Sequence, residues 1–538
     1  MPLSPSAHLD TFARDHLPPE DQWPEFRYEL PELQYPDRLN CATALLDEII
    51  AEHGADRRCL ISPTETWTYG DLLRRANQVA RVLVEDHGIV PGNRVLLRAP
   101  NNPWLVACWF AVLKAGAVAV TTMPLLRESE LRTIGEIAQV NLSLTDHRFA
   151  DDLAAAKIAP YLTFGGDGAD DLSKLAAAKD HSFENVATAA DDVALLAFTS
   201  GTTGRPKATM HFHRDVLANA DTFSRHVLRP TADDVFAGSP PLGFTFGLGG
   251  LVVFPLHVGA ATLLLEKGTP DVLLPAMAEH GVSIVSTAPT AYRAMIPELP
   301  EGGLPALRRC VSAGEPLPMA TWEAWHEATG LKLIDGIGAT EMLHIFISAA
   351  DDDIRPGSTG KPIAGYVAAV LDDDGKPVPD GQLGRLAVKG PTGCRYLDDP
   401  RQAKYVENGW NITGDTYLRD AEGYFWYQAR SDDMIISAGY NIAGPEVDQA
   451  LLKHPDVLEV AVVGIPDAER TMIVKAFVVL RPGITGDDDK ITELRDHCKA
   501  EIAPYKCPKS IEFLPSLPRT STGKVQRFVL REQAAAGD

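Results

Sequence analysis

The sequence has few cysteines, and their arrangement indicates neither a metal site nor a disulfide framework. Seven cysteines are scattered along 538 residues, without a CxxC pair or a Cys/His cluster at zinc spacing. We therefore expect reduced thiols in a reducing compartment. The N-terminal region also lacks an apolar stretch of signal-peptide length, so the expected location is the cytoplasm.

The chain has fewer basic residues than acidic ones. There are 50 Lys and Arg residues against 73 Asp and Glu residues, which gives a formal net charge of −23. A surface this acidic repels phosphate backbones and anionic lipid headgroups, so we expect neither nucleic acid nor membrane as a partner. The hydrophobic fraction of 45% and the charged fraction of 23% are typical of folded globular domains and exclude a disordered or fibrous chain.

Long uncharged runs are rare, and the one of note covers residues 242–265. It contains Pro255, His257 and several glycines, which are unfavourable for a continuous membrane-spanning helix. A buried strand, turn and helix are the expected structure of this segment.

The chain is several times longer than a typical domain of roughly 150 residues, which predicts more than one core. Up to about residue 365, apolar β-branched runs alternate with amphipathic stretches, the pattern of βα units with parallel sheets. The predicted strands include 93–97, 193–198, 261–265 and 283–286, and the predicted helices include 68–86 and 270–280. Short strands with turn signals follow, and then a small α+β unit. Because the polar QARSDD segment separates two apolar stretches, we place the boundary between units 1–431 and 432–538.

A glycine- and threonine-rich segment follows one of these predicted strands directly. It contains Thr199, Ser200, Gly201, Thr202, Thr203, Gly204 and Lys207. Convergent backbone N–H groups, hydroxyls and one ammonium are the components of a phosphate-binding loop, although the spacing is not that of a Walker A motif. A flexible surface turn is the alternative interpretation.

This segment, TSGTTGRPK, resembles the phosphate-loop signature of the adenylate-forming superfamily, which includes acyl- and aryl-CoA synthetases, peptide adenylation domains and luciferases. Five further segments resemble the family's signatures in the family's order: SAGEP at 312–316, DGIGATE at 335–341, WNITGD at 410–415, RSDDMIISAGYN at 430–441 and PRTSTGK at 518–524. The resemblance implies an α/β adenylate-forming fold. That fold has a large N-terminal region of parallel βα sheets with a β-rich subdomain, and a small mobile α+β C-terminal domain.

The resemblance also implies the ligands and the residues that hold them. The nucleotide is expected to contact Ala313, Gly314, Glu315, Pro316, Asp335, Gly336 and Ile337 in addition to the phosphate loop. Lys524 is expected to bridge the carboxylate and the α-phosphate, Thr340 to bond the α-phosphate, and Glu341 to hold Mg²⁺. The pair Asp415 and Arg430 is expected to hold the ribose hydroxyls, although a purely structural ion pair is the alternative.

Family members rotate their C-terminal domain between two half-reactions. Here Asp432 best matches the hinge, and Gly439 with Tyr440 best matches the loop that borders the path of coenzyme A. From the residues alone, the two adjacent aspartates can equally form a solvated turn.

Further resemblances concern the acyl site. The segments 340–348 and 358–366 resemble benzoate:CoA ligases, and the N-terminal arm together with KATMHFHRD resembles the 2-aminobenzoate:CoA ligase branch. The resemblance places His344, Phe244, Phe246 and Gly338 at the acyl pocket. Phe246 departs from the tyrosine usual in benzoate enzymes. Without the resemblance, His344 and both phenylalanines read as core residues.

These observations predict an ATP-dependent aryl-acid:CoA ligase that uses ATP, Mg²⁺ and coenzyme A on a small aromatic carboxylic acid, benzoate or 2-aminobenzoate. One alternative is an enzyme of the same fold that passes its acyl group to a carrier-protein thiol or an amine. A second is a nucleotide-binding protein without catalysis, although Lys524, Thr340 and Glu341 are all present. A homodimer is left open.

Overall fold

The structure is a computed structural model, and it describes residues 3–199, 206–430, 433–437, 440–467, 471–502, 504–519 and 524–536. Within them, the strands before residue 365 form two large sheets. These strands are β1 Arg58–Ile61, β2 Thr66–Thr68, β3 Arg94–Arg98, β4 Val118–Thr122, β5 Leu142–Asp146, β6 Tyr161–Phe164, β7 Val193–Thr199, β8 Lys207–Phe212, β9 Val235–Gly238, β10 Ala261–Leu263, β11 Ile284–Thr287, β12 Arg309–Ser312, β13 Leu333–Gly338, β14 Ile345–Ser348 and β15 Lys361–Pro362.

Both sheets are mainly parallel. The first has the strand order β6-β5-β3-β4-β7-β8, and only the pair β7 and β8 is antiparallel. The second has the order β15-β14-β13-β12-β11-β9-β10-β1-β2 and is parallel from β13 to β1. Its two ends are antiparallel.

Helices cover these sheets and connect their strands. The α-helices are α1 Phe12–Asp15, α2 Glu48–His53, α3 Tyr69–Arg81, α4 Pro103–Lys114, α5 Glu128–Ala138, α6 Ala150–Ala156, α7 Leu172–Ala177, α8 His213–Asn219, α9 Thr245–Leu248, α10 Phe254–His257, α11 Pro270–His280, α12 Pro289–Met295, α13 Met319–Thr329, α14 Gln402–Tyr405, α15 Gly444–Leu452, α16 Asp488–Glu501 and α17 Arg527–Ala536. Segments with π-helical hydrogen bonding extend several of them, at Thr43–Asp47, Val82–Asp86, Ala220–Leu228 and Gly249–Val253. The largest hydrophobic core lies between the two sheets, with Leu97 of β3 and Val311 of β12 both in it.

The remaining strands form two smaller sheets. They are β16 Val367–Leu371, β17 Leu383–Lys389, β18 Val406–Glu407, β19 Trp410–Arg419, β20 Phe425–Arg430, β21 Met434–Ser437, β22 Tyr440–Ala443, β23 Val457–Asp467, β24 Thr471–Leu480 and β25 Ser510–Phe513. The first sheet is antiparallel, with the order β16-β17-β19-β18 and β20 paired to β19. In the second, β22-β21-β24-β23 is antiparallel and β25 adds to β24 in parallel.

The residues after 433 form hydrophobic clusters of their own. The predicted fold class is therefore confirmed: two parallel βα sheets are followed by a β-rich segment and a small α+β unit. The long uncharged run 242–265 folds as α9, a π-helical turn, α10 and β10. Its order is helix and then strand, the reverse of the predicted order. No helix in the described part of the chain combines the length and apolar character needed to cross a bilayer.

A buried ion pair ties β8 and α8 to the segment between β17 and β18. The Arg395 guanidinium donates to the Asp215 carboxylate, and both side chains are fully buried. Arg395 also lies over the ring of Phe212 at 3.9 Å and that of Phe26 at 4.8 Å. Burial raises the pKa of Asp215 and lowers the pKa of Arg395, while each charge opposes the shift of the other. The two charges therefore depend on each other.

We expect Arg395→Met to lower the thermal denaturation midpoint strongly, because it leaves the Asp215 carboxylate buried without its partner. Breaking one side of a buried pair costs roughly 3–5 kcal/mol. The double variant Arg395→Met/Asp215→Leu should recover much of the loss, since no unpaired charge then remains. Thermal denaturation followed by circular dichroism measures both. An unchanged midpoint in Arg395→Met would contradict the assigned role of the pair.

Candidate active site

The predicted nucleotide motifs meet at one edge of the second large sheet. Strands β11, β12 and β13 are parallel, and Ser312 lies in register with Asp335. The carboxyl ends of parallel strands lie at the same edge, which is where α/β folds bind ligands. The turn 313–316 and the segment 336–341 therefore leave the sheet side by side. Gly314 is exposed with a φ of +91° and open space around its Cα.

The ends of the predicted phosphate loop also meet. Thr199, the last residue of β7, pairs with Lys207, the first of β8. The loop residues Ser200, Gly201, Thr202, Thr203 and Gly204 lie outside the described residues, so their predicted role stays a prediction.

Lys207 connects this loop to the Glu341 turn. Its Nζ lies 2.6 Å from the hydroxyl oxygen of Tyr396 and 3.4 Å from Oε1 of Glu341. The Tyr396 hydroxyl in turn donates to Glu341, and burial together with the Glu341 charge raises the pKa of that phenol. Tyr396 was not predicted from the sequence, because nothing near it in the chain marks it as part of a site.

The turn that carries Thr340 and Glu341 follows β13 and is a single 3₁₀ turn, Thr340–Met342. Gly338 pairs with Ile345 as the chain folds back into β14. A Cβ on Gly338 would lie 2.8 Å from the His344 carbonyl oxygen, so this approach requires glycine. The tight return places Thr340, which is half-buried, and Glu341, which is buried, between the nucleotide edge and His344.

Asp415 and Arg430 lie opposite each other on β19 and β20. Their charged groups are 3.6 Å apart, with the Asp415 side chain buried and the Arg430 side chain 46% exposed. Each takes part in further interactions. The predicted pair of Asp415 and Arg430 is therefore present at the border of the cleft, and its role toward the ribose stays a prediction.

Lys524 reaches the same cleft from the C-terminal part of the chain. The residue keeps exposed surface, yet the protein surrounding the cleft lowers the pKa of its ammonium, and the Arg430 guanidinium lowers it further. The carboxylates of Glu315, Asp415 and Glu341 oppose this shift. A second contact crosses to the C-terminal part, since an Arg519 guanidinium nitrogen lies 3.7 Å from Oε1 of Glu315 and another lies 2.9 Å from Oε1 of Glu459.

Two carboxyl groups at the nucleotide edge have raised pKa values. Burial raises the pKa of Asp335 to about 7. Burial also raises the pKa of Glu315, while Arg519 and Lys524 oppose that shift. Both groups therefore gain protons more readily than exposed carboxyls do.

His344 lies at the centre of an aromatic cluster beside the turn. Its ring centroid is 4.6 Å from that of Phe254, 5.2 Å from Phe223 and 5.6 Å from Phe246. Burial lowers the pKa of His344 to about 3, so the ring is neutral. Among the described residues, neither ring nitrogen has a hydrogen-bond partner of normal geometry.

The aromatic cluster agrees only partly with the residues predicted at the acyl pocket. Phe246 contacts His344, whereas the ring contacts of His344 in the described chain do not include Phe244, which is half-buried just before α9. Phe223 and Phe254 were not predicted. They lie in and next to π-helical segments, Ala220–Leu228 and Gly249–Val253, and π-helical turns are frequent at functional sites.

The predicted hinge and coenzyme A path are largely outside the described residues. Asp432 and Gly439 both fall there, and of Tyr440 the structure describes the backbone, as the first residue of β22. Their roles stay predictions.

A metal can be held by oxygen ligands at Glu341 and Thr340, which lie next to each other in the turn. Elsewhere in the described residues, His454, Asp456 and Glu493 have ligand atoms within 4.8 Å of one another. The Lys490 ammonium already pairs with Asp456 at 2.6 Å and with Glu493, so a cation occupies that cluster.

The site brings together the edge of a parallel sheet, several cations and an aromatic cluster, an arrangement that can hold a nucleotide beside a small apolar ligand. Comparisons with known proteins agree. Residues 46–395 match the AMP-binding enzyme family and residues 446–524 match the AMP-binding enzyme C-terminal domain. The chain belongs to the AMP-binding enzyme family.

Three relatives are similar over nearly the whole chain. A benzoate–CoA ligase of Thauera aromatica is 36% identical, covering 93% of this chain and 97% of its own. The crystal structure of the anthranilate CoA ligase AuaEII with anthranoyl-AMP is 34% identical with a TM-score of 0.89, covering 95% and 100%. That of a benzoate CoA ligase from Burkholderia xenovorans LB400 is 31% identical with a TM-score of 0.84, covering 92% and 100%. The adenylate-forming fold and family expected from the motifs are confirmed.

We expect Gly249→Ala to disturb the His344 pocket, because a Cβ there would lie 2.5 Å from Cδ2 of His344 and 3.2 Å from Cζ of Phe254. Overpacking of this kind costs roughly 1–3 kcal/mol, which should lower the thermal denaturation midpoint. Gly250→Ala is the matched control, since it lies in the same π-helical segment and its Cβ would approach Ser286 no closer than 3.3 Å. Equal midpoints for the two variants would argue against a close fit at His344.

Proposed function

We propose that this protein is an ATP-dependent aryl-acid:CoA ligase. A carboxylate oxygen of an aromatic acid attacks the α-phosphorus of ATP, the bond to pyrophosphate breaks with its electron pair, and an aryl-adenylate forms. The thiol of coenzyme A then attacks the aryl carbonyl carbon, loses its proton and displaces AMP. The observation that carries the proposal is the approach of Lys207, Glu341 and Lys524 to one cleft beside a neutral aromatic pocket.

The first step brings a carboxylate onto an anionic phosphate, so the site must cancel charge and fix geometry. Lys524 is proposed to bridge the carboxylate and the α-phosphate, and the Thr340 hydroxyl to bond the α-phosphate. Lys207 and the loop 199–204 are proposed to hold the leaving phosphates. Asp415 and Arg430 are proposed to hold the ribose.

Magnesium fits the donor set of the turn. Glu341 offers a carboxylate and Thr340 a hydroxyl, and Mg²⁺ is usually bound by one or two carboxylates together with substrate phosphates. When bound, the ion neutralises phosphate charge. The contact of Glu341 with Lys207 and Tyr396 keeps its carboxylate in place before the nucleotide arrives.

The aromatic acid is supported by the pocket and by the relatives. Phe223, Phe246 and Phe254 surround His344, and a planar ring matches such walls. The buried His344 nitrogens lack a hydrogen-bond partner of normal geometry in the described chain, so a ring substituent able to hydrogen-bond can supply one. Relatives named for benzoate and anthranilate point to the same acids. We therefore propose benzoate or 2-aminobenzoate as the substrate.

The second step is proposed to require rotation of residues 432–538 about Asp432. Lys524 would leave the cleft, and the loop at Gly439 and Tyr440 would border the pantetheine arm. In the structure the charges of Glu315, Asp415 and Glu341 act on the pKa of Lys524. This arrangement is suited to the first step. The contact of Arg519 with Glu315 supports the same assignment.

We expect Lys524→Ala to reduce aryl-adenylate formation by ~10²-fold or more, because the positive charge is needed where two anions meet. Transfer from supplied aryl-AMP to coenzyme A should stay largely intact. Pyrophosphate release measures the first step and thioester absorbance the second. Lys453→Ala, which removes an exposed ammonium paired with Glu501 at 2.6 Å, is the control. Equal loss in both half-reactions would show that the role of Lys524 is wrong.

A panel of five acids tests the substrate. Benzoate and 2-aminobenzoate should both be turned over, with kcat/KM values that differ by ~10²-fold at most, since an apolar pocket rejects a small polar group weakly. Phthalate should be rejected because its second carboxylate would be buried unpaired. Acetate and a long-chain fatty acid should be poor because they underfill or overrun the cavity.

Each acid is assayed for pyrophosphate release with and without coenzyme A. A clear preference for acetate or the fatty acid would overturn the aryl assignment and leave adenylate formation standing. Aryl-AMP that accumulates with coenzyme A present and no thioester would favour a carrier protein or an amine as acceptor.

A further inference from the structure

Strand β8 contacts the Thr340–Met342 turn at two places. Lys207 begins the strand and reaches Glu341, and His211 lies four residues later, on the same side of the strand. Thr209, between them on the same side of the strand, forms a backbone bridge with Tyr396. Strand β8 thus contacts the turn through both Lys207 and His211.

The contact of His211 is short and fully buried. Its Nε2 lies 2.8 Å from the carbonyl oxygen of Thr340, and the His211 side chain has no exposed surface. Because a carbonyl only accepts, Nε2 must carry the proton. Burial, together with the Arg395 charge, lowers the pKa of His211 to about 3. Nδ1 lies 3.9 Å from Asp215 and has no hydrogen-bond partner among the described residues.

The turn needs such a donor because its backbone is strained. Leu343, the residue that follows it, has a φ of +68°, a conformation that bulky side chains rarely adopt. Strained backbone persists only where surrounding contacts hold it. Thr392 donates to the Met342 carbonyl at 2.8 Å, and His211 donates to the Thr340 carbonyl. Two buried side chains from distant segments therefore hold both ends of the turn.

We propose that His211 is a positioning residue for adenylation: its Nε2–H fixes the Thr340 carbonyl and thereby aims the Thr340 hydroxyl and the Glu341 carboxylate into the cleft. This assignment rests on the proposed function. A displacement of about 1 Å at a reacting group can cost ~10²-fold in rate, so loss of this one hydrogen bond should lower kcat while leaving the aromatic pocket unchanged.

Two amide substitutions test whether an N–H group at the position of Nε2 is required, or whether any polar side chain at residue 211 is enough. His211→Gln places an N–H close to where Nε2 lies, whereas His211→Asn is one methylene shorter and cannot reach the Thr340 carbonyl. We expect His211→Gln to keep the kcat of aryl-acid-dependent pyrophosphate release within about 3-fold of the unsubstituted protein. His211→Asn should lose about 10- to 100-fold in kcat, with a KM for the aromatic acid that changes by less than about 3-fold.

His213→Asn is the matched control. His213 is equally buried two residues further on, but it contacts Cys41, with 3.2 Å from Nδ1 to Sγ. Its substitution should lower the thermal denaturation midpoint about as much as His211→Asn does, without the loss in kcat.

The outcomes are distinct. If the unsubstituted protein releases no pyrophosphate with any acid of the panel, the proposed function fails, and this assignment fails with it. If that protein is active and His211→Gln and His211→Asn have the same kcat, the positioning role is overturned. The role is also overturned if His213→Asn loses as much kcat as His211→Asn. If His211→Asn does not fold, His211→Gln still tests the assignment. A Gln variant that folds and loses activity also contradicts the positioning role.

Discussion

The ammonium of Lys207 holds the candidate site together. It contacts the Tyr396 hydroxyl and lies 3.4 Å from the Glu341 carboxylate, and these three residues come from three distant parts of the chain. Without that charge, the buried Glu341 carboxylate would keep the hydrogen bond from the Tyr396 phenol but lose the neighbouring positive charge that compensates its own, which is costly. The same ammonium stands at the end of the loop expected to bind phosphates, so one group serves both the architecture and the ligand.

The polar and apolar halves of the site are joined by one short stretch of chain. Glu341 faces the charged cleft, and His344, three residues later, is enclosed by aromatic rings. Only a sharp return can place these two groups so close with such different surroundings. Gly338 makes room for that return, and the strained backbone at Leu343 completes it. The tight backbone turn therefore fixes the boundary between the charged cleft and the aromatic cluster.

The C-terminal part of the chain also contributes charged side chains to the site. Lys524 lies in the cleft, and Arg519 bridges Glu315 to Glu459. The Arg519 ion pairs are partly exposed, and exposed ion pairs contribute little to stability. Weak ion pairs of this kind suit a unit proposed to rotate between two steps, whereas the core between the two large sheets is continuous.

The family, the parallel βα sheets and the charged residues of the cleft could all be predicted from the sequence, because motifs and periodicity are local properties of the chain. The sequence predicted the helix at 270–280 with the bounds that the structure has, and it pointed to Lys207, Glu341, Asp415 and Lys524. The roles assigned to 200–204, Asp432 and Gly439 stay predictions. Only the tertiary structure revealed Tyr396, His211, Phe223 and Phe254 as neighbours of the site. These residues act through contacts with partners that are distant in the sequence, such as His211 with Thr340. No local pattern encodes which distant strand ends will meet.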